Sequence, residues 1–181
     1  MHPAWPDLHL AAKALVALHE AGHAVSAYHL GVRFSEVVIG EYAVRTSGFG
    51  YVVYSSVPPN TVESYYHNYV ISTFAGKAAI KMAVDESDDA EVSSIYKLGN
   101  ENDFEIATRI ATEQLKLAEH ELVEFLDVME THANELMNKP ETKIALKAVA
   151  SALLEQGTLT YQEVGSILGG GPQSAEDRSN T

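Results

Sequence analysis

The sequence predicts a mainly α fold with a small β-sheet, an α+β arrangement in which helices dominate. Two observations carry this. Five long stretches read as helices between recognisable caps and stops. One interval, Arg33 to Ser56, instead changes texture to Val, Ile, Tyr and Phe broken by Gly40, Gly48 and Gly50, as expected for short strands and turns. With 181 residues and 46% hydrophobic content there is room for one domain with a real core, taken as residues 1–168, ahead of a tail over 169–181.

The first helix is expected after Asp7, an N-cap just beyond Pro6, and runs from Leu8 to Leu30 with Gly31 as its stop. Val37-Val38-Ile39 and Tyr51-Val52-Val53-Tyr54 are the strand cores, and Pro58-Pro59-Asn60 ends the sheet. Thr61 caps a second helix over Val62 to Val84, whose Ala75, Gly76, Ala78 and Ala79 would let another helix approach closely. Asp85 to Glu91 reads as a solvated acidic loop, lacking the glycine and final glutamate of a calcium-binding loop. A new helix opens after Gly99 and runs from Phe104 to about Lys116. Helices over Glu119 to Asn138 and Glu141 to Gln156 follow, the latter stopped by Gly157. Thr160-Tyr161-Gln162-Glu163 has the form of a capping box opening a last short helix through Leu168. Gly169-Gly170-Gly171-Pro172 then breaks structure before a disordered tail.

The balance of 12 Lys+Arg against 25 Asp+Glu, a formal charge of -13, argues against nucleic acid or an anionic membrane as partner. The chain has no cysteine, so a metal would have to be held by histidine and carboxylate. Met1-His2-Pro3-Ala4-Trp5-Pro6 lacks the basic start and apolar run of a signal peptide, and no stretch approaches a membrane span. The expectation is a cytoplasmic protein without membrane insertion.

The chemistry is concentrated in His19-Glu20-Ala21-Gly22-His23, a His-Glu-x-x-His pattern inside the first helix. Residues four apart lie one above the other on a helix face, so both imidazoles can turn toward one metal. Glu20, one position on, can reach a water there without occupying a coordination position. Zinc (Zn2+) in a catalytic site usually has three protein ligands plus water, so a carboxylate elsewhere must complete the set. Glu101 and Asp103 are both candidates, although helix capping explains acidic residues there equally well. His9 and His29 have the wrong spacing to share the metal-facing side, and His120 and His132 read as exposed. Tyr65, Tyr66 and Tyr69 read as packing residues. His67 reads as a structural histidine, with a proton donor near the site as its other role, and His67 and Tyr51 are the guesses for an oxyanion or supporting group. The stretch from Gly48 to Tyr54 could receive a substrate backbone as an added strand, or simply cover the core.

Taken together, Ala17-Leu18-His19-Glu20-Ala21-Gly22-His23-Ala24, Gly50-Tyr51, Ala75-Gly76-Lys77-Ala78-Ala79, and Asn102-Asp103 with Ala107-Thr108 resemble the peptidase domain of the FtsH family of zinc metalloproteases. Leu159-Thr160 and Glu163 extend the likeness more weakly, so that it covers most of residues 13 to 168. The resemblance implies a helical, zincin-like domain with a small sheet, rings of subunits, His19, His23 and Asp103 as zinc ligands, and Glu20 as the catalytic base. It thereby selects Asp103 over Glu101. Family members typically carry membrane helices and an AAA+ ATPase ahead of the peptidase, whereas no Gly-x-x-x-x-Gly-Lys-Ser/Thr phosphate loop occurs in this chain. The resulting expectation is an endopeptidase cleaving peptides or unfolded proteins without ATP, or one dependent on a separate ATPase partner, with homo-oligomers an open consequence of the resemblance. A peptidase-like binding or regulatory module, and a zinc hydrolase acting on another amide or ester, are the rival readings.

Overall fold

The second half of the first helix is closed in on every side: from Val16 to Ala27 each residue except Leu18 is buried. A helix buried all round needs neighbours on all its faces, and the rest of the chain supplies them. In the computed structural model, which describes residues 10–40, 50–57, 61–84 and 90–169, the order is α1 (Leu10–Leu30), β1 (Phe34–Ile39), β2 (Gly50–Tyr54), α2 (Glu63–Val84), α3 (Ala90–Glu113), α4 (Glu119–Asn138), α5 (Pro140–Gln156), β3 (Thr158–Thr160) and α6 (Tyr161–Ile167). The expected mainly α architecture with a small sheet is what the chain adopts. Helices α2, α3 and α5, the sheet and α6 all pack on α1, while α4 closes over α2. Buried residues from Val16 to Val164 share one core.

The tightest of these contacts is with α2. A β-carbon on Gly22 would lie 2.5 Å from the Ala75 carbonyl oxygen and 2.8 Å from Ala79 Cβ. The small residues of both helices therefore let the two backbones meet directly, with Ala17, Ala21, Ala24, Ala75, Ala78 and Ala79 all buried at the seam or beside it.

The sheet is antiparallel in the order β2-β1-β3. Val37 sits opposite Val52 on one side and Leu159 on the other. An irregularity between Phe34 and Glu36 adds a residue, so buried positions fall at Phe34, Val37 and Ile39 instead of at strict alternation. Strand β3 is not foreseen by the sequence reading, which gives Thr160 only a capping role. Three residues with one apolar side chain, Leu159, carry too little alternation to be recognised. Its placement depends on Gly157, which ends α5 in the left-handed conformation at φ 76° and whose carbonyl accepts from Ile39 N–H at 2.8 Å. The expected capping box follows: Thr160 N–H donates to Glu163 Oε2 at 2.7 Å, and Glu163 N–H to Thr160 Oγ1 at 3.3 Å.

Helix α3 corrects the expectation of a start near Asn100. It begins at Ala90, continues through Gly99, and ends at Glu113 rather than Lys116, where the chain turns with Lys116 at φ 58°. An interior glycine costs a helix only about 1 kcal/mol relative to alanine, which packing along α2 outweighs. The Asp7 cap, His9, Gly48, Pro58-Pro59-Asn60, Asp85 to Asp89 and the tail after Gly169 lie outside the described residues. Among the described residues no helix is long and apolar enough to cross a membrane.

Gly22→Ala is expected to lower unfolding stability by about 2 kcal/mol, and Gly22→Val by more, because the added carbons meet backbone that cannot yield. Urea denaturation of the metal-free proteins measures this directly.

Candidate metal centre

Helix α1 brings His19 and His23 to one face, one turn apart, with their Nε2 atoms 3.1 Å from each other and their rings nearly perpendicular at 89°. From α3, Asp103 presents Oδ2 at 3.2 Å from His19 Nε2 and 3.4 Å from His23 Nε2. All three are buried, at 8%, 5% and 7% exposure. Glu101 is exposed instead: two residues along a helix is a rotation of about 200°, so it cannot face the site when Asp103 does. Asp103 also lies well inside α3, thirteen residues from Ala90 (103 minus 90), which removes helix capping as its explanation.

Backbone fixes the imidazoles. His23 Nδ1–H donates to the Ser72 carbonyl of α2 at 2.8 Å, leaving the Nε2 lone pair of the neutral ring directed at the cluster. Glycine makes room at two further points. A β-carbon on Gly76 would fall 2.5 Å from His23 Nε2 and 2.8 Å from His19 Cε1. One on Gly50, the first residue of β2, would fall 2.5 Å from Glu20 Cγ and 2.6 Å from its Oε1. Thus α2 lies flat over both imidazoles, and β2 lies against the Glu20 carboxylate.

Charge is concentrated where water is scarce. Burial raises the pKa of Glu20 and nearby Asp103 adds to this, while the two imidazoles pull it back. Burial alone would lower His23, but the Asp103 charge beside it outweighs that, with Glu20 and the Ser72 carbonyl adding, and its pKa is pushed up to about 9. Burial would raise Asp103, yet the adjacent imidazoles hold it well below the usual carboxylate range.

These three residues can hold a metal ion, and they are the one such group among the described residues. Asp103 Oδ2 stands within ion-pair distance of both imidazoles, but no N–H is aimed at it along a hydrogen-bond direction. It remains a buried polar atom without a hydrogen-bond partner. Three atoms that can each donate a lone pair to a cation are thereby held together in a buried site. Separations of 3.1 to 3.4 Å between the three atoms also match the roughly 3.3 Å edge of a tetrahedron with bonds of about 2.0 Å.

The other histidines stand elsewhere. His29 is exposed at the end of α1 against Tyr28, and His120 and His132 are exposed on α4. His67, one of the two guesses for a supporting group, pairs with Glu63 at 3.3 Å and packs on Phe125. Strand alternation turns Tyr51, the other guess, to the opposite face from the one Gly50 presents to Glu20. The same alternation places Tyr54, which the sequence reading passed over, on the Gly50 side. Its only sequence signal is that even spacing from Gly50.

The chain matches none of the protein-family models, and no curated protein matches it.

One equivalent of zinc should bind per chain, and Asp103→Asn should weaken it by roughly 100-fold or more, as measured by competition with a chromogenic chelator. In the metal-free protein the fold favours protonated His23. That stabilisation is complete below the ordinary imidazole value of 6.5 and is lost as pH rises through about 9. Thermal melts of chelator-treated protein between pH 6 and 10 should show Tm falling across that window.

Proposed function

We propose that this chain is a zinc-dependent endopeptidase that hydrolyses peptides or unfolded proteins without ATP. The observation that carries the reading is the convergence of His19, His23 and Asp103, buried and 3.1 to 3.4 Å apart, with Glu20 adjacent in sequence but outside the ligand set. The ligands drawn from this geometry are those that the resemblance to FtsH-family peptidase domains implies, which supports that kinship as well. A cytoplasmic location and homo-oligomers belong to the same reading, and dependence on a separate ATPase partner is the alternative to cleavage without ATP.

Zinc, when bound, supplies Lewis acidity and brings its water to a pKa of about 7. The residues of the chain do the rest. Glu20, whose proton affinity burial has raised, accepts a proton from the attacking water. The water oxygen bonds to the peptide carbon, the carbon–nitrogen bond breaks, and Glu20 returns its proton to the departing amine. Gly50 presses β2 against the Glu20 side chain and limits where the carboxylate can swing. The Ser72 carbonyl holds the His23 ring in one tautomer.

An extended substrate has a place to lie. In the sheet order β2-β1-β3, β2 is an edge strand, and among the described residues it pairs only with β1. A peptide added along this edge would pass Gly50 and hence Glu20. Such a path suits cleavage within a chain.

Glu20→Gln should retain one equivalent of zinc while losing cleavage of casein by at least about 1,000-fold. Activity retained in that variant would overturn the role of Glu20. Zinc binding by the unmodified protein without cleavage of casein or of a diverse peptide library would favour a binding module, and turnover of only non-peptide amides or esters another zinc hydrolase.

A further inference from the structure

We propose that the hydroxyl of Tyr54 is a catalytic group: it donates a hydrogen bond to the water or substrate carbonyl oxygen held in front of His19, His23 and Asp103. This rests on the zinc-peptidase reading and adds to it the group that meets negative charge developing on the carbonyl oxygen.

Three observations lead to Tyr54. Its hydroxyl is buried and has no hydrogen-bond partner. A buried phenol does not stay unpaired without cost, so its partner is to be sought in something the polypeptide does not supply. Ser26 on α1 and Thr108 on α3 also carry buried unpartnered hydroxyls, but a helical serine or threonine can rotate to a carbonyl of the preceding turn. Tyr54 has no such freedom: its ring is packed on Tyr69 with centroids 4.4 Å apart, and both rings abut the core.

Position is the second observation. Gly50, Val52 and Tyr54 share the inward face of β2, and Gly50 on that face touches Glu20. The third is electrostatic: the Tyr54 hydroxyl is held well above its ordinary pKa, by burial first, then by Tyr69, and then by the charges of Asp103 and Glu20. The hydroxyl therefore keeps its proton and is available as a donor from the strand face that carries Gly50. Asp103 Oδ2 is a buried acceptor left open, and Tyr54 Oη is a buried donor left open. The two suit a single guest that is cationic at the carboxylate and carries an oxygen toward the phenol.

Tyr54→Phe removes only that oxygen. In the zinc-loaded variant kcat for an unfolded casein peptide should fall by about 10- to 1,000-fold with KM changed less than about threefold. Calorimetry should show acetohydroxamate, a zinc-binding oxygen ligand, bound about tenfold more weakly by the variant. Zinc affinity should be unchanged, and the Tm of the metal-free protein should hold or rise, because no intramolecular bond is lost. A metal-free Tm lowered by several degrees would assign the hydroxyl to the fold and overturn the proposal. So would unchanged acetohydroxamate affinity in a variant that binds zinc. The hydroxamate arm needs no turnover, so it decides Tyr54 even where the unmodified protein binds zinc and cleaves no peptide, a result that would count against the peptidase reading alone.

Discussion

The approach of α2 to α1, close enough that neither Gly22 nor Gly76 can carry a β-carbon, is the constraint on which the rest depends. It sets the depth at which the two imidazoles sit and supplies the Ser72 carbonyl that orients one of them. It also explains the composition of α1. A helix carrying two histidines and a glutamate would ordinarily lie at a surface, yet here those polar residues are enclosed. Alanine and glycine at the seam make the enclosure possible, because dispersion contacts between closely packed backbones replace those that large side chains would make.

Enclosure has an electrostatic counterpart. Two carboxylates and two imidazoles share a volume with little solvent, and Glu20, His23 and Asp103 are each shifted by their neighbours. Isolated charges in such a place are costly, and the cost falls only when opposite charges meet at short range. Asp103 and His23 offset one another, while Glu20 is left with raised proton affinity. The same burial thus gives a group that could hold a metal ion and, one residue along α1, a carboxylate whose proton affinity is raised. A motif on an exposed helix would hold the same residues and lack this division of labour.

How much of this is legible in the sequence depends on the range over which each signal acts. The pairing of His19 with His23 is local, fixed by helical periodicity, and could be read directly. So could the Thr160 capping box and the stops at Gly31 and Gly157, which follow from backbone conformation. Asp103 could not be chosen over Glu101 from spacing, and only the resemblance to a family separated them. In the fold, rotation around α3 separates them. Gly99 has the local appearance of a break, whereas tertiary packing carries α3 through it. Strand β3 is three residues recruited by pairing with β1, a nonlocal event. Tyr54 was passed over because nothing in its neighbourhood marks it. What sets it apart, a buried hydroxyl without a partner, is a property of the folded chain alone.

Of the three residues that could hold a metal ion, two come from α1 and the third from α3, 84 positions later (103 minus 19). In a chain with no cysteine, an ion held by all three serves as a cross-link. It closes a long loop that takes in β1, β2 and α2, and an unfolded chain so tied has lost much of the freedom that opposes folding. Occupancy then becomes a term in the stability of the whole domain, growing with the logarithm of free metal above its dissociation constant. The abundance of the folded protein would track metal supply, so that scarcity removes the molecule itself.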